Sequence, residues 1–153
     1  MSRQVTATFA FDNWDETEIL DVEGARIVRT SFAKTFTGDL EGTSRGEMVM
    51  AHALQESAAY TGYERIEAAI ARAGSPSRLV GTFILRHSAF MAQGAGGFDV
   101  VVMESSGTGD LVGLSGTATI ERHEDGSHSF TLEYDLPDAD ADADSSAVPG
   151  PAD

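Results

Sequence analysis

The sequence contains no cysteine. Disulfides, thiolate nucleophiles and cysteine-ligated metals are excluded, and the redox state of the compartment is left open. Proline is sparse: three of the four prolines fall in residues 137–153. Cations are scarce too, ten Lys and Arg against twenty-five Asp and Glu, for a formal net charge of −15. A surface of that sign repels phosphate backbones and anionic lipids, so nucleic acid and membranes are not expected partners. No apolar run approaches the roughly 20 residues of a membrane helix, and the first residues carry no apolar signal segment. A cytoplasmic protein is the expectation.

What is present divides the chain in two. Residues 137–153 hold five aspartates and no basic residue, with Asp138, Asp140, Asp142 and Asp144 alternating with small residues. Such a segment has little apolar surface to bury, so it is expected to be a disordered acidic tail. Residues 1–136 are long enough for one domain with a real core. There, Val5, Ala7, Phe9 and Phe11 alternate with less apolar residues at the period of a strand. Asp12, Asn13 and Asp15 predict a turn after it, and residues 16–24 read as a loop or short strand. Residues 25–36 are rich in β-branched and aromatic side chains and predict a strand. Residues 40–53, 57–63, 79–90, 98–105, 117–123 and 129–136 predict further strands, the last two paired as a hairpin across Glu124, Asp125 and Gly126. Residues 64–73 have helical propensity, and Ile66, Ala69, Ile70 and Ala73 share a helical face. Their place between strand-like segments favours strand to about Ala69, then a loop through Ser77. About eight strands spaced by turns predict an all-β fold, a closed antiparallel barrel or a sandwich.

Five short segments carry a family resemblance: residues 34–42 (KTFTGDLEG), 47–51 (EMVMA), 60–65 (YTGYER), 81–87 (GTFILRH) and 107–116 (GTGDLVGLSG). In this order they resemble a bacterial family of uncharacterised function that is similar to the allene oxide cyclase barrel. The glycine run also resembles a turn of plant allene oxide cyclases and dirigent proteins. The resemblance implies an eight-stranded barrel, commonly trimeric, that shapes a reactive intermediate toward one cyclised or coupled product. Residues 67–78 depart from the family pattern, being longer and more helix-like.

The glycine run is not a phosphate cradle. A P-loop needs Lys-Ser/Thr after its last glycine, a dinucleotide fingerprint needs a following helix, and Gly116 leads into a strand. A tight inter-strand turn with positive-φ positions is the simpler reading. Four residues are candidates for catalysis: Glu47, Tyr60, Glu64 and His87. His87 shares strand parity with Phe83 and Leu85; inside a barrel it could be a base or ligand, or a hydrogen-bonded core residue. Glu47 shares parity with Arg45 and Val49, and Glu64 with Tyr60, Gly62 and Ile66. Each could be an interior acid or base, a solvated outer residue, or the partner of Lys34, Arg65 or Arg86. His123 and His128 flank the last hairpin and are expected to be solvated. No metal-ligand spacing occurs, so no metal is expected, and the absence of a Gly-x-Ser-x-Gly elbow leaves a serine hydrolase unsupported; the chemistry that the resemblance implies calls for no organic cofactor.

The resulting expectation is a small barrel that binds an apolar small molecule. By resemblance, it would isomerise or cyclise a polyketide-, polyene- or epoxide-like substrate. The rival expectation is a non-catalytic binding or scaffold barrel with a filled interior. Strands apolar on both faces, at residues 79–90 and 98–105, predict a homo-oligomer, a dimer or trimer.

Overall fold

The computed structural model describes residues 2–137. The expectation of a disordered tail falls, beyond Pro137, on residues outside those described. Eight strands follow one another: β1 (Arg3–Val22), β2 (Ala25–Gly38), β3 (Leu40–His52), β4 (Ala58–Arg72), β5 (Ser75–Ala92), β6 (Ala95–Val102), β7 (Ser115–Arg122) and β8 (His128–Asp135). Each pairs antiparallel with the next, and β8 returns to β1, closing the sheet into a barrel. Among the described residues, no helix is long and apolar enough to cross a membrane.

Several local expectations are corrected by tertiary pairing. The turn expected at residues 12–15 is absent, because β1 continues to Val22. The ladder to β2 skips Asp12, with a register shift between Phe11 and Asn13. The bulge absorbs the turn-forming residue, whose Oδ2 accepts a 2.6 Å bond from the Thr35 hydroxyl. Residues 64–72 are strand throughout, beyond the expected end at Ala69. Two ladders satisfy this backbone, to β3 and to β5. Alternate residues Gly62, Glu64, Ile66, Ala68 and Ile70 are buried inside. Helix propensity of a few tenths of a kcal/mol per residue does not compete with that. The loop expected through Ser77 shrinks to Ala73 and Gly74, with Gly74 at φ 75°.

The glycine run is not a tight turn. Residues 103–114 form a connection containing one 3-10 turn, Gly109–Leu111, before β7 begins. It sends Leu111 and Leu114 into the core. Gly81 on β5 makes this possible, since a Cβ there would lie 2.0 Å from the Thr108 carbonyl oxygen. The amides of Val80 and Thr82 donate to Asp110 Oδ2 and Thr108 Oγ1 at 2.9 and 3.0 Å. These bonds stand beside a thin seam, for β6 and β7 share only the ladder pair Val101–Thr117.

The barrel therefore has two unlike ends. One carries the β2–β3 and β4–β5 turns and the glycine-run plug. Its interior is packed with Phe36, Leu40, Ile70, Phe83 and Phe130, all essentially inaccessible. The other end carries the β1–β2, β3–β4, β5–β6 and β7–β8 turns. β1 pairs with β8 only as far as Phe9–His128, so beyond that point the wall between β1 and β8 is unzipped. The interior is open toward this end.

Candidate functional site

Four consecutive strands each send one polar side chain to the same interior point. Lys34 comes from β2, Ser44 from β3, Glu64 from β4 and His87 from β5. The registers explain the meeting. Lys34 lies opposite Ser44, Glu64 opposite Gly46, and His87 opposite Gly62. Each residue is thus a direct or diagonal neighbour of the next on one face of the sheet. All four share strand parity with the apolar interior, so burial of that parity carries them inside.

Glu64 is the hub. Its Oε1 accepts from Lys34 Nζ at 3.2 Å and from His87 Nε2 at 2.8 Å. Its Oε2 accepts from the Ser44 hydroxyl at 2.6 Å. The Glu64 side chain is fully buried, and those of Lys34 and His87 are 4% and 8% exposed. Among the described residues no buried side-chain polar atom lacks a partner. Burial pushes the Glu64 carboxyl up, but the His87 bond, the Lys34 charge and the Ser44 bond outweigh it and hold it below its ordinary value. Burial lowers Lys34, and its attraction to Glu64 only partly opposes the shift. The ammonium also sits 4.3 Å from the centre of the Phe9 ring and 5.2 Å from that of Phe32, positions where ring faces attract a cation.

The tautomer of His87 follows from these charges. An ionised Glu64 only accepts hydrogen bonds, so Nε2 of His87 carries the proton between them. In the neutral ring Nδ1 then holds a lone pair. Nδ1 has no side-chain partner and is not sealed off, and His87 lines a cavity of about 290 Å³. A histidine oriented by a carboxylate, with its other nitrogen toward a cavity, is arranged as a general base.

The cavity rises from this polar floor toward the open end. Phe9, Phe11, Trp14, Phe32, Met48 and Ile120 give it an apolar wall, with Lys34 and His87 below and Tyr60 and His128 at the sides. Gly62, opposite both Met48 and His87, leaves the floor unobstructed; a Cβ there would lie 2.5 Å from that of Met48. Burial raises the Tyr60 phenol, which stays a donor. Trp14 makes an edge contact with Phe11 at 5.1 Å and stacks on Phe32 at 6.3 Å.

Of the four candidates, Glu64, His87 and Tyr60 are brought to the interior. Glu47 is not brought to the cluster. It stands on the outer face opposite Ser31 and Tyr63, is exposed, and reaches only the cavity's edge. Strand alternation is the reason: Gly46, Met48 and Met50 take the inward positions. Lys34 is the partner of Glu64, whereas Arg65 bonds Glu67 on the outer surface at 2.9 Å. His128 corrects the expectation of a solvated residue, because it stacks on Phe9 at 5.0 Å and borders the cavity. Burial lowers its pKa, with the charges of Arg122, Lys34 and His123 adding to the shift. Ser44 was not foreseen from sequence. Lys34 could have been recognised as interior by its parity with Phe32 and Phe36. Among the described residues, no group of three or more His, Asp or Glu could hold a metal.

Comparison with known proteins gives kinship without a reaction. Residues 5–134 match the family described as "Protein of unknown function (DUF3224)". A crystal structure of a protein of unknown function from this family, from Shewanella oneidensis MR-1, is similar at a TM-score of 0.75 and 28% identity. The match covers 90% of this chain and 100% of that one. No curated protein matches.

Proposed function

The chain belongs to the DUF3224 family, and from its cavity we propose that it binds an apolar small molecule and isomerises or cyclises it by acid–base catalysis. One observation carries this reading: the cavity's apolar wall meets His87, a lining residue whose Nε2 is held by the buried Glu64 and whose Nδ1 has no side-chain partner. An apolar wall with a few convergent polar groups is the usual make-up of a small-molecule site. His87 would remove a proton from the bound molecule and return it elsewhere, Glu64 would hold the imidazole and stabilise its cation, and Lys34 or Tyr60 would face developing negative charge. The wall would fix the ligand's conformation, which supplies much of what a cyclisation needs. This use of a β-barrel is similar to that of allene oxide cyclases. The same reading places the protein in the cytoplasm, as an oligomer covering its outer apolar residues.

A fully satisfied ion cluster also suits a scaffold barrel, in which Lys34, Glu64 and His87 are structural. Trp14, the one tryptophan, lines the cavity and separates the two readings. Titration with apolar small molecules should change its fluorescence and raise the melting temperature. For a turned-over ligand, His87→Gln should keep binding and lose about 100- to 10,000-fold in rate. Full activity of His87→Gln would reject the acid–base role. A Trp14 signal and melting temperature unmoved by every ligand would favour the scaffold.

A further inference from the structure

Lys34 is the only lysine in the sequence; the other nine of the ten cations are arginine. This single lysine is inside the barrel, against Phe9 and Phe32 and within 3.2 Å of Glu64. An ion pair alone does not require lysine. Arginine carries a permanent charge and a planar fork suited to a carboxylate, but it is not a nucleophile at neutral pH. Lysine differs in one chemical capacity: its amine can lose a proton and attack carbon. Desolvation in an apolar pocket is the setting that activates it, and Lys34 lines the cavity with His87 beside it.

We propose that Lys34 is a carbonyl-capturing residue, and that the ligand of this cavity is an aldehyde or ketone with an apolar body that forms an imine with its Nζ. The inference rests on the cavity being a ligand site. In the first step the neutral amine's lone pair attacks the carbonyl carbon. A C–N bond forms, and the C=O π pair moves to oxygen, which takes up a proton. The nitrogen then passes one proton to the His87 imidazole, whose imidazolium protonates the departing hydroxyl; the nitrogen lone pair expels it as water, and the iminium's remaining N–H proton returns to the solvent that supplied the first proton on oxygen. The net change is amine plus carbonyl to imine plus water, with no oxidant or reductant. Lys34 Nζ and His87 Nε2 both bond Glu64 Oε1, so the carboxylate holds the nucleophile and the proton carrier together. An imine would also make the adjacent C–H more acidic, which is the proton that the isomerase reading assigns to His87.

The test uses octanal with sodium cyanoborohydride on the full chain at neutral pH, followed by intact mass and peptide mapping. Lys34 carries the one lysine amine of the sequence, and the chain's α-amine is an internal reference. Expected is one octyl group on Lys34, formed faster, relative to the α-amine, in the native protein than in urea, since burial lowers the lysine's pKa and so raises its neutral fraction. A merely structural lysine predicts the reverse, protection by burial. Equal or slower labelling in the native protein overturns the proposal. Lys34→Arg should abolish the adduct at position 34; should that variant fail to fold, the native-to-unfolded ratio on the natural chain decides alone. Octanol, which fills the same space without a carbonyl, separates the two ideas through Trp14 fluorescence. Octanol binding without labelling by octanal rejects imine formation and keeps the cavity reading. No response to either removes both.

Discussion

Replacing Glu64 by Gln removes one charge from a sealed cluster and leaves nearly the same shape. The amide that replaces the carboxylate can still accept from Lys34 and His87 through its carbonyl oxygen, and its NH2 can donate to the Ser44 hydroxyl oxygen, so the loss is chiefly electrostatic. The Lys34 ammonium is then left without its counter-charge beneath the aromatic wall, 4% exposed. Breaking a buried pair from one side typically costs about 3–5 kcal/mol. The lysine's escape route sets a ceiling on the cost, since it can discharge. Discharging a group of ordinary pKa 10.5 at pH 7 costs about 5 kcal/mol, and at pH 9 about 2 kcal/mol, at about 1.4 kcal/mol per unit. Urea unfolding of Glu64→Gln should therefore show a loss of about 3–5 kcal/mol at pH 7, or about 10 °C in melting temperature, shrinking at pH 9. Adding Lys34→Met should recover much of the loss, because removing both charges of a buried pair is often near neutral. A loss below about 1 kcal/mol at pH 7, the same loss at both pH values, or additive single and double variants would show that water reaches Lys34 and that the cluster is not desolvated.

Three further outcomes are expected. The Glu64 carboxyl lies below its ordinary value in the folded chain, so the unfolded state binds the more protons. Its stabilisation is complete above the ordinary carboxylate pKa and is lost as pH falls through the folded value; acid unfolding of Glu64→Gln should therefore be shallower below about pH 4.5, and parallel curves would refute this. Gly81→Ala should destabilise by about 1–3 kcal/mol, because its methyl would meet the Thr108 carbonyl that seats the plug; a neutral effect in thermal unfolding would show that residues 103–114 yield freely. Val49, Tyr63, Val80 and Phe90 are between 40% and 58% exposed, so sedimentation at micromolar concentration should give a dimer or trimer, and a monomer alone would refute the oligomer.

Much of the barrel was readable from alternation. A period of two assigns Phe32, Lys34 and Phe36 to one face of a strand, and Glu64, Ile66 and Ile70 to one face of another, before any partner is known. It also pairs His87 with Phe83 and Leu85. Local chemistry misled where a neighbour's hydrogen bonds were worth more than the residue's own preference. Asp12 became a bulge, because the backbone on both sides of it found partners on β2. Residues 64–72 became strand, because β3 and β5 both bond to them. The glycines at 107, 109 and 113 promised a turn, but a long connection packs against Gly81, a contact made far along the chain.

Alternation cannot say which face is inside, and so could not separate Glu47, left on the outer surface, from Glu64, buried at the hub. Nor could it bring Lys34, Ser44, Glu64 and His87 to one point. Each comes from a different strand, and their meeting depends on three registers set by the burial of whole strand faces. The amino-acid order determined that this chain alternates, that its strands can close on an apolar interior, and that its one lysine lies on an aromatic stripe. The tertiary structure decided which polar residues share that interior, because a carboxylate enters a barrel only where an ammonium, an imidazole and a hydroxyl arrive with it.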